Sequence, residues 1–284
     1  MPLTIQATES TFGAIVTEVA LDTMGDDAWL QVETAFHEYG LLIFPGQHLS
    51  VTAQEVFAER FGEIEILVET DKTIAVSNKA DDGSLLDDDD HYMQLLRGNE
   101  GWHTDSSYMP LSAKASVLSA HIVPSAGGQT EWADARAAYD ELDGNMKNRI
   151  ADLAAYHSFF YSQSKIGHKV ATGSGYGFFD GEPPLHPLVK VHAVTKQPAL
   201  YIGRHAYGVP GLRTDESEQL LNDLVTFTCR APRTYMHNWQ PGDIAVWDNR
   251  RLLHRAHPYD HSEERILMHT RIKGDPATES ALNA

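Results

Sequence analysis

The sequence contains the stretch GWHTDS at residues 101–106 and, far downstream, the stretch WDNRRLLH at residues 247–254. Together they offer two imidazoles and one carboxylate, from His103, Asp105 and His254. Two histidines and a carboxylate can occupy one face of an octahedral metal ion and leave the opposite face open, which is the ligand set of non-heme Fe(II) oxygenases. The two stretches therefore predict a metal centre built from distant parts of the chain.

A lone His-x-Asp or His-x-Glu pattern is weak support, because chance alone produces it in a chain with 15 His and 40 acidic residues. A second such pattern at residues 261–263 is interpreted as a surface turn, since no suitably spaced partner histidine accompanies it. For the third ligand, His254 is favoured over His257 because it closes the WDNRRLLH block after a predicted strand. The competing interpretation is that these are ordinary hydrogen-bonded histidines.

Composition restricts the class of protein. The chain has 284 residues, a hydrophobic share of 42% and a formal net charge of −18. Nucleic-acid binding needs clustered basic residues, and we find no such patch, so we predict no nucleic-acid partner. The sequence lacks an apolar run of membrane-spanning length and a secretory signal, and its single cysteine, Cys229, agrees with a reducing compartment. We therefore predict a cytoplasmic protein without membrane contact, in which any anionic small molecule needs a local arginine pocket.

Hydrophobic patterning predicts a mainly β fold with flanking helices. One helix is expected at residues 26–39, before Gly40, and another from a cap at Ser50 or Thr52 to about Phe61. Strands are predicted at residues 12–20, 41–44, 74–77, 115–123, 188–192, 199–202, 244–247 and 266–272. A helical insert at about 135–153 and a helix at 215–228 interrupt them. This pattern favours a double-stranded β-helix, or jelly roll, core in a single domain spanning residues 1–284.

Two segments are predicted to be mobile loops. Residues 81–91 contain the run Asp87 to Asp90, for which a solvated, self-repelling loop is the simpler interpretation and a lid beside the metal motif is the alternative. Residues 165–184 are rich in glycine and form a second candidate lid.

Three motifs in order resemble a known family, namely WHTD at 102–105, GGQT at 127–130 and WDNRRLLH at 247–254. They are similar in order and separation to those of the taurine/2,4-dichlorophenoxyacetate group of Fe(II)/2-oxoglutarate dioxygenases, over nearly the whole chain. Further stretches are most similar to aryloxyalkanoate dioxygenases acting on dichlorprop-type herbicides: LIFPGQHLS (42–50), YSQSK (161–165), IGRHA (202–206) and HTR (269–271). The resemblance implies Fe(II) bound by His103, Asp105 and His254, with 2-oxoglutarate and O2 as co-substrates.

The resemblance also implies a site for the distal carboxylate of 2-oxoglutarate. Arg265 lies eleven residues after His254, the spacing at which the family places its 2-oxoglutarate arginine. Thr130 would be the hydroxyl partner of the same carboxylate. A planar guanidinium suits this task because it pairs with a carboxylate through two parallel hydrogen bonds. The alternative for Arg265 is a solvent-facing charge on a strand.

Strand parity predicts that side chains 265, 267, 269 and 271 share one face unless a bulge intervenes. Taurine enzymes of the resembled family carry a substrate-binding arginine where this chain has His269, and here Arg271 follows two residues later. This departure puts a sulfonate substrate in doubt and predicts that Arg271, with His269 nearby, holds a substrate carboxylate; a structural ion pair is the alternative. Asn99 matches a pocket position of the family, with loop capping as the alternative, and Ser107 is expected, with Tyr108, on the same wall.

These expectations describe a dioxygenase that hydroxylates a small carboxylate substrate, an aryloxyalkanoate-like acid that would be cleaved to a phenol and a 2-oxo acid. A sulfonate, an alkyl sulfate or another small organic acid is the alternative substrate. A metal-binding jelly roll without oxygenase turnover is the alternative class. The sequence does not identify the natural substrate or its enantiomer, and it is compatible with a homo-oligomer.

Overall fold

The computed structural model describes residues 3–68, 70–80, 82–173 and 175–284. Its strands are β1 (Thr4–Ala7), β2 (Ala14–Thr17), β3 (Leu41–Phe44), β4 (Thr73–Ser77), β5 (Ala113–Ile122), β6 (Thr130–Asp134), β7 (Ala154–His157), β8 (Leu185–Pro187), β9 (Val189–Val191), β10 (Pro198–Leu200), β11 (Ala206–Tyr207), β12 (Thr234–His237), β13 (Ile244–Asp248), β14 (Leu252–Ala256) and β15 (Ile266–Lys273). Its α-helices are α1 (Asp26–Tyr39), α2 (Val51–Glu59), α3 (His91–Gly98), α4 (Ala135–Glu141), α5 (Gly144–Ile150), α6 (Phe159–Ser164), α7 (Thr214–Thr228) and α8 (Pro276–Glu279). The predicted mainly β architecture with flanking helices is confirmed.

The largest layer is a seven-stranded sheet of order β1-β2-β3-β13-β5-β15-β4. Its neighbours pair antiparallel except for β2 and β3, which run in parallel. A three-stranded sheet of order β12-β6-β14 forms a second layer, and smaller sheets join β11-β7-β8 and β10-β9.

Strands β3 and β13 are buried on both faces, which explains their nearly continuous apolar sequences. Successive side chains of a strand point to opposite faces. On β3, Leu42 and Phe44 face a core that also receives side chains from α1 and α2. Leu41 and Ile43 face the other way, into a core shared with Trp132 of β6. The seven-stranded and three-stranded sheets therefore pack face to face, and the candidate site lies between them.

The first two helices begin and end close to where the sequence predicts. Helix α1 ends because Gly40 adopts a left-handed conformation, with a φ of 73°, and donates its N–H to the carbonyl of Phe36. The hydroxyl of Ser50 caps α2 by accepting the N–H of Ala53. This helix ends at Glu59, before the predicted end at Phe61.

Two predicted elements are wrong in extent. The insert at 135–153 is not one helix but two, because Leu142 is extended, with a ψ of 142°, and Asp143 caps α5 by accepting the N–H of Met146. The strand predicted at residues 12–20 is limited to β2, because Gly13 and Glu18 at its ends have positive φ values of 86° and 60°.

The aspartate run makes specific contacts. Asp90 caps α3 by accepting the N–H groups of Tyr92 and Met93, and Asp88 pairs with Arg97 of the same helix. The end of the predicted 81–91 loop is thus a helix start instead of a freely solvated segment. Two residues of the predicted loops, Asp81 and Ser174, lie outside the described residues. Across the described part of the chain, no helix combines the length and apolar character needed to cross a membrane.

Candidate active site

His103, Asp105 and His254 meet between the two sheets. Strand β14 carries His254 on the same face as Leu252, which packs in the core between the sheets. The segment that bears His103 pairs with β14 through two backbone hydrogen bonds between His103 and His254, of 2.9 and 2.8 Å. Asp105 follows in the same segment. One possible ligand atom from each residue lies within 4.8 Å of the others, and all three residues are buried.

The three side chains have the protonation states that a metal ion requires. Burial lowers the pKa of His103 to about 4, and its Nδ1 lies 2.8 Å from the carbonyl oxygen of Gly101, which leaves Nε2 free. Burial also holds the pKa of His254 well below its ordinary value. Burial alone would raise the pKa of Asp105, but Arg271 and the neighbouring imidazoles lower it well below the ordinary value. Neutral imidazoles and an ionised carboxylate bind divalent cations, so these residues fit Fe(II).

The WDNR block supports this cluster from behind. Ser116 donates its hydroxyl to Oδ2 of Asp105 at 2.6 Å, and the Asn249 amide donates to the Ser116 hydroxyl at 2.8 Å. The amide oxygen of Asn249 accepts from Nε1 of Trp247 at 3.0 Å. Such outer partners fix the orientation of metal ligands.

A second group of two histidines and an aspartate consists of His37, His192 and Asp248. Here the carboxylate is already occupied, because Arg250 donates to both oxygens of Asp248 at 2.8 and 2.6 Å and His192 lies 2.8 Å from Oδ2. A cation in this place would face the guanidinium of Arg250. With both oxygens of Asp248 bonded to one guanidinium, the group is interpreted as structural.

A cavity of about 370 Å³ adjoins the candidate metal ligands. Its aliphatic wall consists of Leu67, Ile74, Val76, Leu95, Leu96, Leu118 and Leu267. Its aromatic wall includes Tyr108, Phe159, Tyr176 and Phe178. Apolar walls with a few convergent polar groups are typical of a site for a small organic ligand.

Arg265 and Thr130 lie together on this cavity. The Arg265 guanidinium is buried and donates to the carbonyl oxygen of Gly128 at 3.0 and 3.2 Å, and it has no carboxylate partner among the described residues. Burial lowers its pKa to about 10, so it remains charged. The Thr130 hydroxyl accepts from Nε1 of Trp239 at 3.0 Å, which leaves its own proton free to donate. A buried cation without a counter-charge fits the distal carboxylate of 2-oxoglutarate.

Close packing explains the two glycines of the GGQT motif. Gly128 has a φ of 67°, and a Cβ there would lie 3.0 Å from Nε of Arg265. Gly127 has a φ of 79°, and its Cβ would overlap the backbone of Pro258. Only glycine lets the chain approach Arg265 this closely in these conformations.

Arg265, Leu267, His269 and Arg271 all line the cavity, as strand parity predicts. A register shift does occur between Ile266 and Leu267 in their pairing with β5. The pairing of these residues with β4 is continuous, so the extra residue belongs to β5 and β15 keeps its alternation.

Arg271 has more partners than expected. Its Nη2 lies 3.1 Å from Oδ1 of Asp105, and its Nη1 lies 3.4 Å from the hydroxyls of Ser106 and Tyr108. Its Nε is buried without a hydrogen-bond partner. The structural ion pair that was the alternative for Arg271 is therefore present. The Nε–H group remains available to bind a ligand. His269 also lies near the carboxylate, with Nε2 3.5 Å from Oδ2 of Asp105.

The remaining predicted residues separate into two groups. Asn99, at the end of α3, and Tyr108 line the cavity, whereas Ser107 is buried but does not line it. Ser106, the residue before it, has a φ of 52°. The position of Ser107 thus gives no support to substrate contact. His205, to which the sequence analysis assigned no role, does line the cavity, and its Nδ1 lies 2.8 Å from the Ser162 hydroxyl.

Sequence reasoning missed the α3 wall, and it named residues 165–184 as a candidate lid without predicting which residues of that segment line the cavity. Tyr92, Leu95 and Leu96 line the cavity. Their i, i+3, i+4 spacing after an aspartate cap was a usable signal for this helix. Phe178 stacks on Phe159 with ring centroids 4.5 Å apart. That contact joins residues without a shared local pattern, so the sequence contained no comparable signal for it.

Comparison with known proteins agrees with this geometry. The family model described as taurine catabolism dioxygenase TauD, TfdA family, matches residues 4–271. The chain belongs to this family. It is 52% identical to a (S)-phenoxypropionate/alpha-ketoglutarate-dioxygenase of Sphingobium herbicidovorans, with 96% of each chain covered, and 46% identical to one of Delftia acidovorans, with 98% of each covered. The crystal structure of AAD-2 in complex with Mn(II) and N-oxalylglycine matches with a TM-score of 0.91 and 34% identity over 99% of each chain.

Membership of the TauD/TfdA family confirms the predicted enzyme class and cofactors. The protein is an Fe(II)- and 2-oxoglutarate-dependent dioxygenase that uses O2. The alternative of a metal-binding jelly roll without oxygenase turnover is therefore excluded.

Proposed function

We propose that this dioxygenase acts on a small aryloxyalkanoate-like acid. Hydroxylation of the carbon that bears the aryloxy group gives a hemiketal, which collapses to a phenol and a 2-oxo acid. The observation that carries the proposal is the cavity, whose aliphatic and aromatic walls adjoin the candidate metal ligands and suit an aryl ring. The names of the relatives that are 52% and 46% identical support the same substrate class and the (S) hand.

His103, Asp105 and His254 are the proposed Fe(II) ligands, and Arg265 with Thr130 holds the distal carboxylate of 2-oxoglutarate. Fe(II) with 2-oxoglutarate and O2 supplies the oxidising power for converting a substrate C–H bond to C–OH. The residues of the chain bind and orient the two acids, and the apolar walls exclude water from the reacting carbon. Support comes from the uncompensated guanidinium of Arg265 and from the convergence of the three ligand side chains.

Arg271 is the proposed cation for the substrate carboxylate, through its unpartnered Nε, with His269 and Asn99 as further substrate contacts. Substitution of Arg271 by Ala should raise the substrate KM and leave the 2-oxoglutarate Kd nearly unchanged. Co(II) affinity is measured in parallel because Arg271 also contacts Asp105. Loss of 2-oxoglutarate affinity alone would reverse the assignments of Arg265 and Arg271.

We also propose that the two facing sheets form a double-stranded β-helix, or jelly roll, in one domain over residues 1–284. The core shared by the seven-stranded and three-stranded sheets supports this. The lid roles of residues 81–91 and 165–184, a homo-oligomer and a cytoplasmic location stay predictions of the sequence.

A substrate panel tests the proposed function. Protein loaded with Fe(II) and 2-oxoglutarate is exposed to O2 with both enantiomers of a 2-aryloxypropionate, an aryloxyacetate, taurine and an alkyl sulfate. We expect succinate and phenol in equal amounts with the aryloxy acids, and no activity in Asp105→Ala. Succinate formation with taurine or the alkyl sulfate, and none with any aryloxy acid, contradicts the proposal and favours the sulfur-containing substrates.

A further inference from the structure

A partly buried network of hydrogen bonds surrounds Ser106, the residue directly after the proposed metal ligand Asp105. The Ser106 hydroxyl donates to Oε2 of Glu65 at 2.8 Å and accepts from the Tyr176 hydroxyl at 2.9 Å. Oε1 of Glu65 also lies within hydrogen-bond distance of the Tyr176 hydroxyl, so the single phenol proton is shared between Ser106 and Glu65. Ser106 is fully buried and keeps a φ of 52°, which a non-glycine residue rarely adopts without support from its surroundings.

The network reaches the metal ligand through Arg271. The Arg271 guanidinium lies 3.4 Å from the Ser106 hydroxyl and 3.1 Å from Oδ1 of Asp105. The backbone N–H of Glu65 donates to the carbonyl of Arg271 at 2.8 Å, so Glu65 contacts this arginine through its main chain as well. Glu65 therefore sits where it can fix both Ser106 and Arg271 against Asp105.

The same network holds the glycine-rich segment over the cavity. Tyr176 belongs to that segment and lines the cavity, and the next two residues pack closely on its aromatic wall. A Cβ at Gly177 would overlap the ring of Tyr108, and Phe178 is buried against Phe159. The hydroxyl of Tyr176 is the polar contact that joins this closed segment to Glu65 and Ser106.

We propose that Glu65 and Tyr176 are positioning residues that couple the closure of residues 175–178 over the cavity to the orientation of Asp105 as a metal ligand. The proposal rests on the proposed metal site. Glu65 forms hydrogen bonds with the hydroxyls of Tyr176 and Ser106. These contacts fix the position of Arg271 against Asp105. Opening of the segment removes the Tyr176 hydroxyl from the network and loosens the carboxylate that binds the metal. A simpler alternative is that Glu65 only balances charge near a cation.

Two conservative substitutions separate these alternatives. Glu65→Gln keeps the size of the side chain and removes its charge, whereas Tyr176→Phe keeps all charges and the ring and removes one hydroxyl. Glu63→Gln is the matched control, because Glu63 lies two residues away on the same segment, is exposed, and pairs with Lys273 at 3.2 Å. Asp105→Ala is the reference for a lost ligand.

Two measurements are made on the metal-free full-length protein. Co(II) titration reports the affinity of the metal site without turnover. Limited trypsin digestion reports opening of the segment, because Lys165 and Lys169 are exposed on its N-terminal side. Substitutions of partners behind a metal ligand typically reduce metal affinity by about 10- to 100-fold.

We expect Glu65→Gln and Tyr176→Phe each to weaken Co(II) binding by about ten-fold and to accelerate cleavage several-fold. The double variant should bind Co(II) only slightly more weakly than either single variant. Its loss of affinity should be much smaller than the product of the two separate losses, because both residues act in one network. Glu63→Gln should match the unsubstituted protein in both measurements.

Three results overturn the proposal. The first is weaker Co(II) binding in Glu65→Gln but not in Tyr176→Phe, which indicates only a charge effect. The second is faster cleavage of Tyr176→Phe with unchanged Co(II) affinity, and the third is independent effects of the two substitutions in the double variant. If Asp105→Ala binds Co(II) as tightly as the unsubstituted protein, the metal assignment itself fails. That outcome is distinct from failure of the coupling.

Discussion

Two regions of the molecule use the same kinds of side chain and differ in how completely those side chains are paired. Around Asp248, both carboxylate oxygens accept from Arg250, and His192 is engaged through both ring nitrogens, although Nδ1 of His37 is buried without a hydrogen-bond partner. Around Asp105, Nδ1 of His254 and Nε of Arg271 are buried without a hydrogen-bond partner. Buried polar groups are normally satisfied, so unpaired groups that line a cavity indicate a ligand site, whereas a carboxylate held by one arginine through both oxygens and away from that cavity indicates a structural role.

The largest expected effect contrasts the histidines of the two regions. His254→Ala removes a proposed metal ligand and should weaken Co(II) binding by at least about 100-fold, with loss of turnover. His192→Ala should leave Co(II) affinity within about two-fold and instead lower the free energy of unfolding, because one buried partner of Asp248 is lost. Metal titration and urea unfolding of both variants check this. Equal loss of metal affinity in the two variants would show that the second cluster also binds metal.

The arginines extend the contrast. Arg265→Met removes the cation without a counter-charge and should weaken 2-oxoglutarate binding by about 2–3 kcal/mol, or roughly 30- to 150-fold, with little loss of stability. Arg250→Met leaves the Asp248 carboxylate buried without its arginine, with His192 as its remaining side-chain partner, and should cost about 3–5 kcal/mol of stability. Calorimetric titration with 2-oxoglutarate and urea unfolding distinguish the two outcomes. A strongly destabilised Arg265→Met with unchanged 2-oxoglutarate affinity would assign Arg265 to the structural group.

The difference between these regions also explains what the sequence could predict. The candidate metal ligands belong to short motifs with characteristic order and spacing, and so do Arg265 and Thr130. Their place in one site was therefore predictable. Strand parity placed His269 and Arg271 on the cavity, because alternation is a local property of β15.

The sequence could not show which of these groups are already paired. Arg250 and Arg271 cannot be distinguished in the sequence, because their partners depend on contacts between distant parts of the fold. The same holds for Ser107, which is buried but does not line the cavity. Tyr176 reaches the site only through packing of a glycine-rich segment that has no periodic pattern, and Glu65 through a backbone contact with the last strand.

The third prediction concerns pH, where both regions should lose stability as the pH falls but over different ranges of pH. Burial lowers the pKa of His103 to about 4 from an ordinary value of 6.5. Between these values the unfolded chain takes up a proton that the folded protein does not, so stability falls as the pH falls. The metal-free protein should lose about 2 kcal/mol from this residue between pH 6.5 and 5.

For Asp248, burial alone would raise the pKa, but Arg250 lowers it below the ordinary value of 3.8, so its contribution is kept above that pH and lost only below it. Urea unfolding at pH 6.5 and 5 measures the difference. His103→Gln should reduce the loss by about 2 kcal/mol. An unchanged loss in this variant would mean that the buried imidazole does not resist protonation.

The smallest expected effect compares two neighbours of the metal motif, one on the cavity wall and one behind it. Ser107→Ala should change the substrate KM by less than about two-fold, because its hydroxyl does not line the cavity, although loss of a buried hydrogen-bonding group costs about 1 kcal/mol of stability. Asn99→Ala removes a polar group that does line the cavity and should raise KM several-fold at unchanged kcat. Steady-state kinetics with an aryloxypropionate separate the two variants. A larger effect on KM from Ser107→Ala than from Asn99→Ala would contradict this expectation. It would show that the substrate contacts residues outside the observed cavity lining, so that a position on the cavity is a poor guide to substrate contact in this protein.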